Sequence, residues 1–292
     1  MPRFLLYPLV GLFSAVWSSA FVAGKAGTAY LDPYSLLAWR FGLTALILLP
    51  LALARGRVGA SGDIRTGLVL GLLYNALYLG LTFTALVSVP ATAVILIVSC
   101  APFATALFAA AAGQERLDAG RLLGVAAGCG GVAVMALGQP MTTATAFGVG
   151  CAVLGMLAFS LGTVVYRGRA GDAVGVNFWQ SVAGCGAMIP LSLVFGRPGA
   201  AATPELAAAV AYLALVVGVG GMGLWFLLIR VSGAATASAY HLLNPFSGLL
   251  LSHLILGTAV TARDVAGVGL TCLGLAVVIG RRASHPPGRS GR

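Results

Sequence analysis

The sequence predicts an all-α integral membrane protein in which ten transmembrane helices form two inverted five-helix repeats, with both termini in the cytoplasm. Three observations carry that expectation. The chain is 59% hydrophobic and only 8% charged, too little charge to cover a soluble surface at 292 residues. The apolar residues come in long blocks rather than alternating faces, and a hydrocarbon core of roughly 30 Å needs about 20 of them per helix. A fixed shift of 143 residues lays Pro102-Phe103 on Pro245-Phe246, Leu107 on Leu250, Gly124-Val125 on Gly267-Val268, Cys129 on Cys272, Gly131 on Gly274 and Ala133-Val134 on Ala276-Val277. Composition alone does not produce a gapless match on the same proline and glycines, so the chain reads as two related halves.

The ten blocks span 4–22, 34–54, 64–87, 91–112, 120–137, 145–166, 177–195, 206–229, 234–256 and 265–280. Residues 1–144 form the first half, 145–282 the second, and 283–292 a short basic tail. A net charge of +10 invites comparison with nucleic-acid binders, but its distribution argues against one. With the N-terminus in the cytoplasm, thirteen of the seventeen basic residues fall on that side; Lys25, Arg197 and Arg263 lie outside and Arg40 within a helix. That asymmetry is the positive-inside rule, so charge here sets topology and the partner is the lipid bilayer. The five cysteines all lie inside predicted helices without metal-ligand spacing, which predicts buried free thiols, no metal and no cofactor. An odd number of helices per half inverts the second half, and the location expected is the cytoplasmic membrane.

The first helix carries Trp17, Ser18 and Ser19; a shift of 142 lays Trp17 on Phe159 and Ser18 on Ser160, making the sixth helix its counterpart. The serines suit either helix packing or substrate contact. In the second helix, Arg40 lies about 9 Å from Tyr34 at a rise near 1.5 Å per residue, within snorkelling reach of the headgroups. It either snorkels or pairs with Asp32, or it faces a water-filled cavity and an anionic substrate group. A shift of 140 lays Trp39-Arg40 on Trp179-Gln180 and Pro50 on Pro190.

The third helix offers Tyr74, Asn75, Tyr78 and Thr82 at helical spacing near mid-membrane, a stripe for interhelical hydrogen bonds or for a binding-site wall. Pro102 and Pro245 release the carbonyls of Val98 and His241 and are expected to kink the fourth and ninth helices. Interrupted helices at matching positions of two repeats point to a substrate site, with the prolines as gating positions. Ser99 joins the first copy; Tyr240, His241 and Asn244 distinguish the second, where the first has Ile97, Val98 and Ala101, so substrate chemistry is expected to be read mainly by the second half. His241 is either a neutral imidazole bonded to a neighbour or a substrate or proton contact, while His253 is nearer the outer end. Gly120, Gly124 and Gly128 form a small-residue seam on the fifth helix and Gly267, Thr271 and Gly274 a looser one on the tenth, read as scaffold or as a homodimer surface. The eighth helix clusters Gly218, Gly220, Gly221 and Gly223 before Trp225.

These residues resemble the EamA-type family of the drug/metabolite transporter superfamily. The resemblance rests on Trp17 to Val22, on Pro33 through Arg40-Phe41, on Ala91-Thr92-Ala93 leading to Pro102-Phe103, Gln114-Glu115-Arg116 and Gly124, and on Ala234 to Ala237 leading to Pro245-Phe246, Gly267 and Gly274. The family's Gly-Glu pair after the fourth and ninth helices is met here by Gln114-Glu115 in the first half and Gly257-Thr258 in the second, so only Glu115 keeps the carboxylate. The resemblance implies a carrier of a small organic metabolite, an exporter of amino acids or related compounds working by alternating access, and no enzyme. Aromatic walls with a few amides and hydroxyls suit a partly apolar, neutral or zwitterionic solute, and the expected wall is Trp17, Ser18, Tyr74, Asn75, Tyr78, Ser99, Ser160, Trp225, Tyr240, His241 and Asn244. All seven acidic residues sit in links or at helix ends, so the glutamate chemistry of the small multidrug resistance relatives has no carrier here. Facilitated diffusion is the reading, with proton-coupled drug efflux through His241 as the alternative. A membrane enzyme or a non-transporting receptor would need an interfacial His, Asp or Glu cluster, or a soluble domain.

Overall fold

The computed structural model describes residues 3–114, 119–136, 143–169, 171–196, 203–257 and 259–284. Expectations resting on Glu115, Arg116, Asp118, Arg197, Thr258 and residues 285–292 lie outside this description. Among the described residues there is no strand. The helices are α1 (Arg3–Gly27), α2 (Pro33–Ala54), α3 (Ser61–Ser88), α4 (Ala91–Ala111), α5 (Ala119–Ala136), α6 (Thr143–Arg167), α7 (Ala173–Phe195), α8 (Pro204–Ser232), α9 (234–256) and α10 (Ala262–Ser284). Seven of these, α1 to α4 and α6 to α8, contain stretches long and apolar enough to cross a membrane.

Local chemistry sets the helix starts. Asp32 caps α2 by accepting from the amides of Tyr34 and Ser35, Asp172 caps α7 through Val174 and Gly175, and Thr203 caps α8 through Leu206. Pro33 and Pro204 occupy first-turn positions, where no amide is needed. Asp63, Glu205 and Asp264 lie in the first turns of α3, α8 and α10, so all five described acids sit at helix N-termini, where the helix dipole favours them. Helix α1 runs past the expected end at residue 22 to Gly27, and the Lys25 amine near its end donates to the Leu86 carbonyl in the last turn of α3.

The repeat is written into irregular backbone as well as sequence. Nine residues of α3, Gly71–Leu79, are π-helical, and so are nine residues of α8, Leu213–Gly221, with Leu213 lying 142 positions after Gly71. The widened turns offer carbonyls to other helices: Thr44 donates to Ala214 (3.2 Å) and Asn177 to Gly218 (2.9 Å). Near Pro102, α4 breaks at Cys100, where the Cys100 amide reaches Ile97 (3.0 Å) and the Phe103 amide reaches Cys100 (3.1 Å). The corresponding break in α9 is a 3₁₀ turn, Tyr240–Leu243, just before Pro245.

Tertiary contacts come in reciprocal pairs, as a two-fold relation between halves requires. A Cβ added at Gly131 would stand 2.4 Å from the Gly267 carbonyl and from Thr271; one added at Gly274 would stand 2.4 Å from the Gly124 carbonyl and 2.5 Å from the Gly128 amide. These are the same contacts exchanged between halves, so the glycine faces of α5 and α10 are closed against each other within the chain. A homodimer through these helices would have to use their outer faces, where Leu123 and Leu273 are exposed. The outer belt elsewhere is equally apolar, with Trp39 68% and Leu193 82% exposed, a surface suited to lipid and not to water. All five cysteines are free; Cys151 is buried and the other four are half-buried, less enclosed than the sequence predicts.

Candidate functional site

The centre of the molecule is a plug of rings contributed by both halves. Phe13 and Trp17 of α1, Phe159 of α6, Trp225 of α8 and His241 of α9 are all 5% exposed or less. His241 meets Trp225 at 4.9 Å, Phe13 at 5.0 Å, and Trp17 and Phe159 at 5.1 Å between ring centroids, each time edge-on. Phe159 stacks on Trp225 at 5.2 Å and Trp17 lies 5.5 Å from Phe159. Such packing adds offset and edge contacts to plain apolar burial. Of these rings, Phe13 and Phe159 were not among the expected site residues, yet two signals reach them. Phe159 is the repeat partner of Trp17, and Phe13, Trp17 and Phe21 stand four apart on one helix face.

A polar relay pins one side of the plug. The Trp225 indole donates to the Tyr74 hydroxyl (3.1 Å), which donates to Thr163 (3.2 Å), which in turn donates to the Phe159 carbonyl one turn earlier (2.9 Å). His241 Nδ1 and the Asn244 amide nitrogen are 2.7 Å apart, leaving His241 Nε2 and Asn244 Oδ1 buried without a hydrogen-bond partner.

The two serines of the repeat act reciprocally. Ser18 of α1 donates to the Asn244 carbonyl just before Pro245 (3.1 Å), and Ser160 of α6 donates to the Ala101 carbonyl just before Pro102 (3.2 Å). Each half's leading helix thus holds the broken helix of the other half at its proline. Both serines are packing residues in this conformation and neither lines the cavity. Ser99 donates to Ile95 within its own helix (2.7 Å), and Tyr240 pairs with Ser232 (2.9 Å), so these two expected wall residues also face away.

Against the plug lies a small cavity lined by Trp17, Ala20, Phe21, Arg40, Tyr74, Asn75, Tyr78, Leu79, Phe83, Phe159, Val217 and Met222. Its free space takes about one water, so the site is contracted in this conformation. The third-helix stripe is corrected in one respect. Thr82 turns back onto the carbonyls of Tyr78 (2.8 Å) and Leu79 (3.3 Å), and Leu79 and Phe83 take the place that helical spacing gives it. Asn75 reaches across to the Gln180 carbonyl of α7 (2.8 Å).

Trp225 and His241 of the second half, with Asn244 bonded to His241, stand at the plug and not in the cavity's lining. The lining residues that carry polar groups are Trp17, Arg40, Tyr74, Asn75 and Tyr78, all from the first half, whereas the second half adds Phe159, Val217 and Met222. The repeat positions explain the difference: Asn75 corresponds to Val217 at a shift of 142, and Gln180, the counterpart of Arg40, donates instead to Asn177 (2.8 Å).

Arg40 neither snorkels nor pairs with Asp32. It is only 3% exposed, well inside the protein, and the buried carboxylate of Asp63 pairs with Arg57 instead (2.7 Å). Asp32 caps α2 through Oδ1, while its Oδ2 is buried without a hydrogen-bond partner. The Arg40 guanidinium lies over Phe41 at 5.6 Å and Phe83 at 6.0 Å, and its Nε and Nη1 atoms are buried without a hydrogen-bond partner. Ring faces return about 0.5–2 kcal/mol to a cation. Removing a charge from water costs several kcal/mol, so the rings offset only part of it. The indole nitrogen of Trp17 and the hydroxyl of Tyr78 are buried in the wall of the same cavity. Elsewhere, at the helix ends, Arg57 holds Asp63, whose second oxygen accepts the Asp172 amide (2.9 Å), while Arg230 donates to Tyr166 (3.1 Å) and to the Gly171 carbonyl.

Comparison with known proteins places this architecture. An uncharacterized transporter of Archaeoglobus fulgidus is 21% identical over 276 residues, covering 94% of this chain and 98% of the relative. A solved crystal structure superimposes with a TM-score of 0.77 at 20% identity, covering 97% of this chain and all of that one, and shows the same fold. The profile of the EamA-like transporter family matches twice, over residues 5–137 and 146–280. The chain therefore belongs to the EamA-like transporter family and is a multi-pass membrane transporter.

Proposed function

We propose that this protein carries a small organic metabolite across the cytoplasmic membrane by alternating access, exporting amino acids or related compounds. The observation that carries the reading is a largely apolar cavity, with Arg40 and Asn75 in its wall, closed by a ring plug built from both halves. Ten crossings, as two inverted repeats over 1–144 and 145–282 with both termini and the 283–292 tail cytoplasmic, are supported by the charge asymmetry and by the reciprocal serine and glycine contacts. In that orientation Phe21, Arg40 and Phe83 lie outward of the plug and Phe13, Trp225 and His241 lie inward. Exchanging the roles of the halves would move the closure from one side to the other. Pro102 and Pro245 are the hinges in this scheme, each held by a serine of the opposite half. A homodimer through the outer faces of α5 and α10 is part of the proposal.

Among the described residues no carboxylate lines the cavity, which favours flux down the solute gradient over proton exchange. A metabolite comparison of growth media from cells with and without the protein tests the reading. A compound accumulating only when the protein is present, and ceasing to do so in Tyr78→Ala or Asn244→Ala at unchanged protein level, is the expected result. Identical media refute export. Uptake driven by a pH gradient alone, and lost in His241→Ala, refutes uncoupled flux.

A further inference from the structure

We infer that the solute is an organic monoanion with an apolar or aromatic body, and that Arg40 is the residue that selects its acid group. The inference rests on the transport reading and adds the substrate's charge to it. A guanidinium is always charged and carries five N–H donors in a planar fork. Arg40 lines a cavity in which no described lining residue carries an opposite charge, and its Nε and Nη1 atoms, three N–H donors between them, have no hydrogen-bond partner. Buried donors without acceptors are costly, so the group that completes them is an acceptor brought from outside, and a carboxylate matches the fork with two parallel bonds.

The rest of the lining describes the rest of the solute. Phe21, Phe83, Phe159, Leu79, Val217 and Met222 supply apolar surface. No described lining residue is an acid that could pair with an ammonium group, so des-amino acids are favoured over amino acids. Gln180 occupies the repeat position of Arg40 but turns to Asn177, so the charge preference belongs to the first half alone.

The test uses 3-phenylpropionate, its amide and 3-phenylpropylamine, three probes of one body and three charges. Binding is read from tryptophan fluorescence of the full chain in phosphatidylcholine nanodiscs, a lipid without net charge that leaves no headgroup anion as competitor. Flux is read in vesicles of the same lipid with 3-phenylpropane-1-sulfonate, a permanent anion that does not leak. The wild-type protein is expected to bind the carboxylate at least tenfold more tightly than the amide or amine. Arg40→Gln should bring that ratio to within twofold, and Arg40→Lys should keep most of it. Equal binding of acid and amide by the wild-type protein, no binding of the acid, or an unchanged ratio in Arg40→Gln overturns the inference. The wild-type ratio decides even where the variant fails to fold. Selective acid binding without sulfonate flux keeps the anion site and sinks the transport reading; flux of a neutral solute with no preference for acids does the reverse.

Discussion

Replacing Gly131 with alanine is the sharpest test of how the two halves meet. The added methyl carbon would stand 2.4 Å from the Gly267 carbonyl oxygen and from Thr271 Oγ1, and 2.8 Å from the Thr271 amide. The closest of these is 1.0 Å inside the 3.4 Å at which ordinary contact begins, and two of the three atoms belong to backbone, which cannot rotate away. The helices must separate, and overpacking of this kind costs about 1–3 kcal/mol. Gly274→Ala should behave alike, because its methyl group meets Gly124 and Gly128 from the other side of the same seam. Two neighbouring glycines provide controls. A Cβ at Gly269 meets nothing within 4 Å and one at Gly130 touches only Leu270 at 3.7 Å, so alanine there should be neutral or gain up to about 1 kcal/mol of helix propensity. Thermal unfolding in detergent, followed by size-exclusion of the surviving monodisperse fraction, should show midpoints lowered by roughly 2–10 °C for Gly131→Ala and Gly274→Ala. The double variant should lose less than the two losses added together, since the first methyl already opens the seam the second would clash with. If Gly131→Ala unfolds at the same temperature as Gly130→Ala, α5 and α10 are not packed through these faces and the reciprocal contact is wrong.

Other outcomes follow from the same geometry. Tyr74→Phe strips the Trp225 indole of its acceptor and should destabilise the protein by about 1–3 kcal/mol, seen as a lower unfolding midpoint, whereas Trp225→Phe alone should cost less than Trp225→Ala. Ser18→Ala and Ser160→Ala should each remove about 1 kcal/mol and, measured as initial flux, alter transport in the same direction, since each frees the proline hinge of the opposite half. Opposite effects on flux would separate the two hinges. Arg57→Ala leaves the Asp63 carboxylate, 1% exposed, without its cation and should lower stability more than Arg57→Lys; equal midpoints would remove the pair from the list of stabilising contacts.

Much of this molecule is local information. Block length and apolarity announce helices and a membrane, Asp32, Asp172 and Thr203 announce where helices begin, and Pro102 and Pro245 announce where two of them break, since each effect acts within one turn of chain. The repeat is legible for the same reason: matching local signals recur at a constant distance along the chain. The positive-inside bias is a sum over short links and needs no contacts at all.

What the residues at the centre do is not local. Each helix can turn about its axis, and one extra residue in a wide turn rotates the following face by about 100°. The π-helical stretch Gly71–Leu79 is such a place, and beyond it Phe83 lines the cavity where spacing assigns Thr82. Tertiary packing likewise sends Ser18 and Ser160 to carbonyls instead of a solute, turns Tyr240 toward Ser232, and closes the glycine seams of α5 and α10 on each other. Above all it decides Arg40. The sequence by itself determined that a guanidinium lies about 9 Å into an apolar helix with Asp32 near the end. Only the folded chain decides that Asp32 is taken by the α2 amides and that the charge is walled in by rings, because that depends on which neighbours share its space and not on its place along the chain.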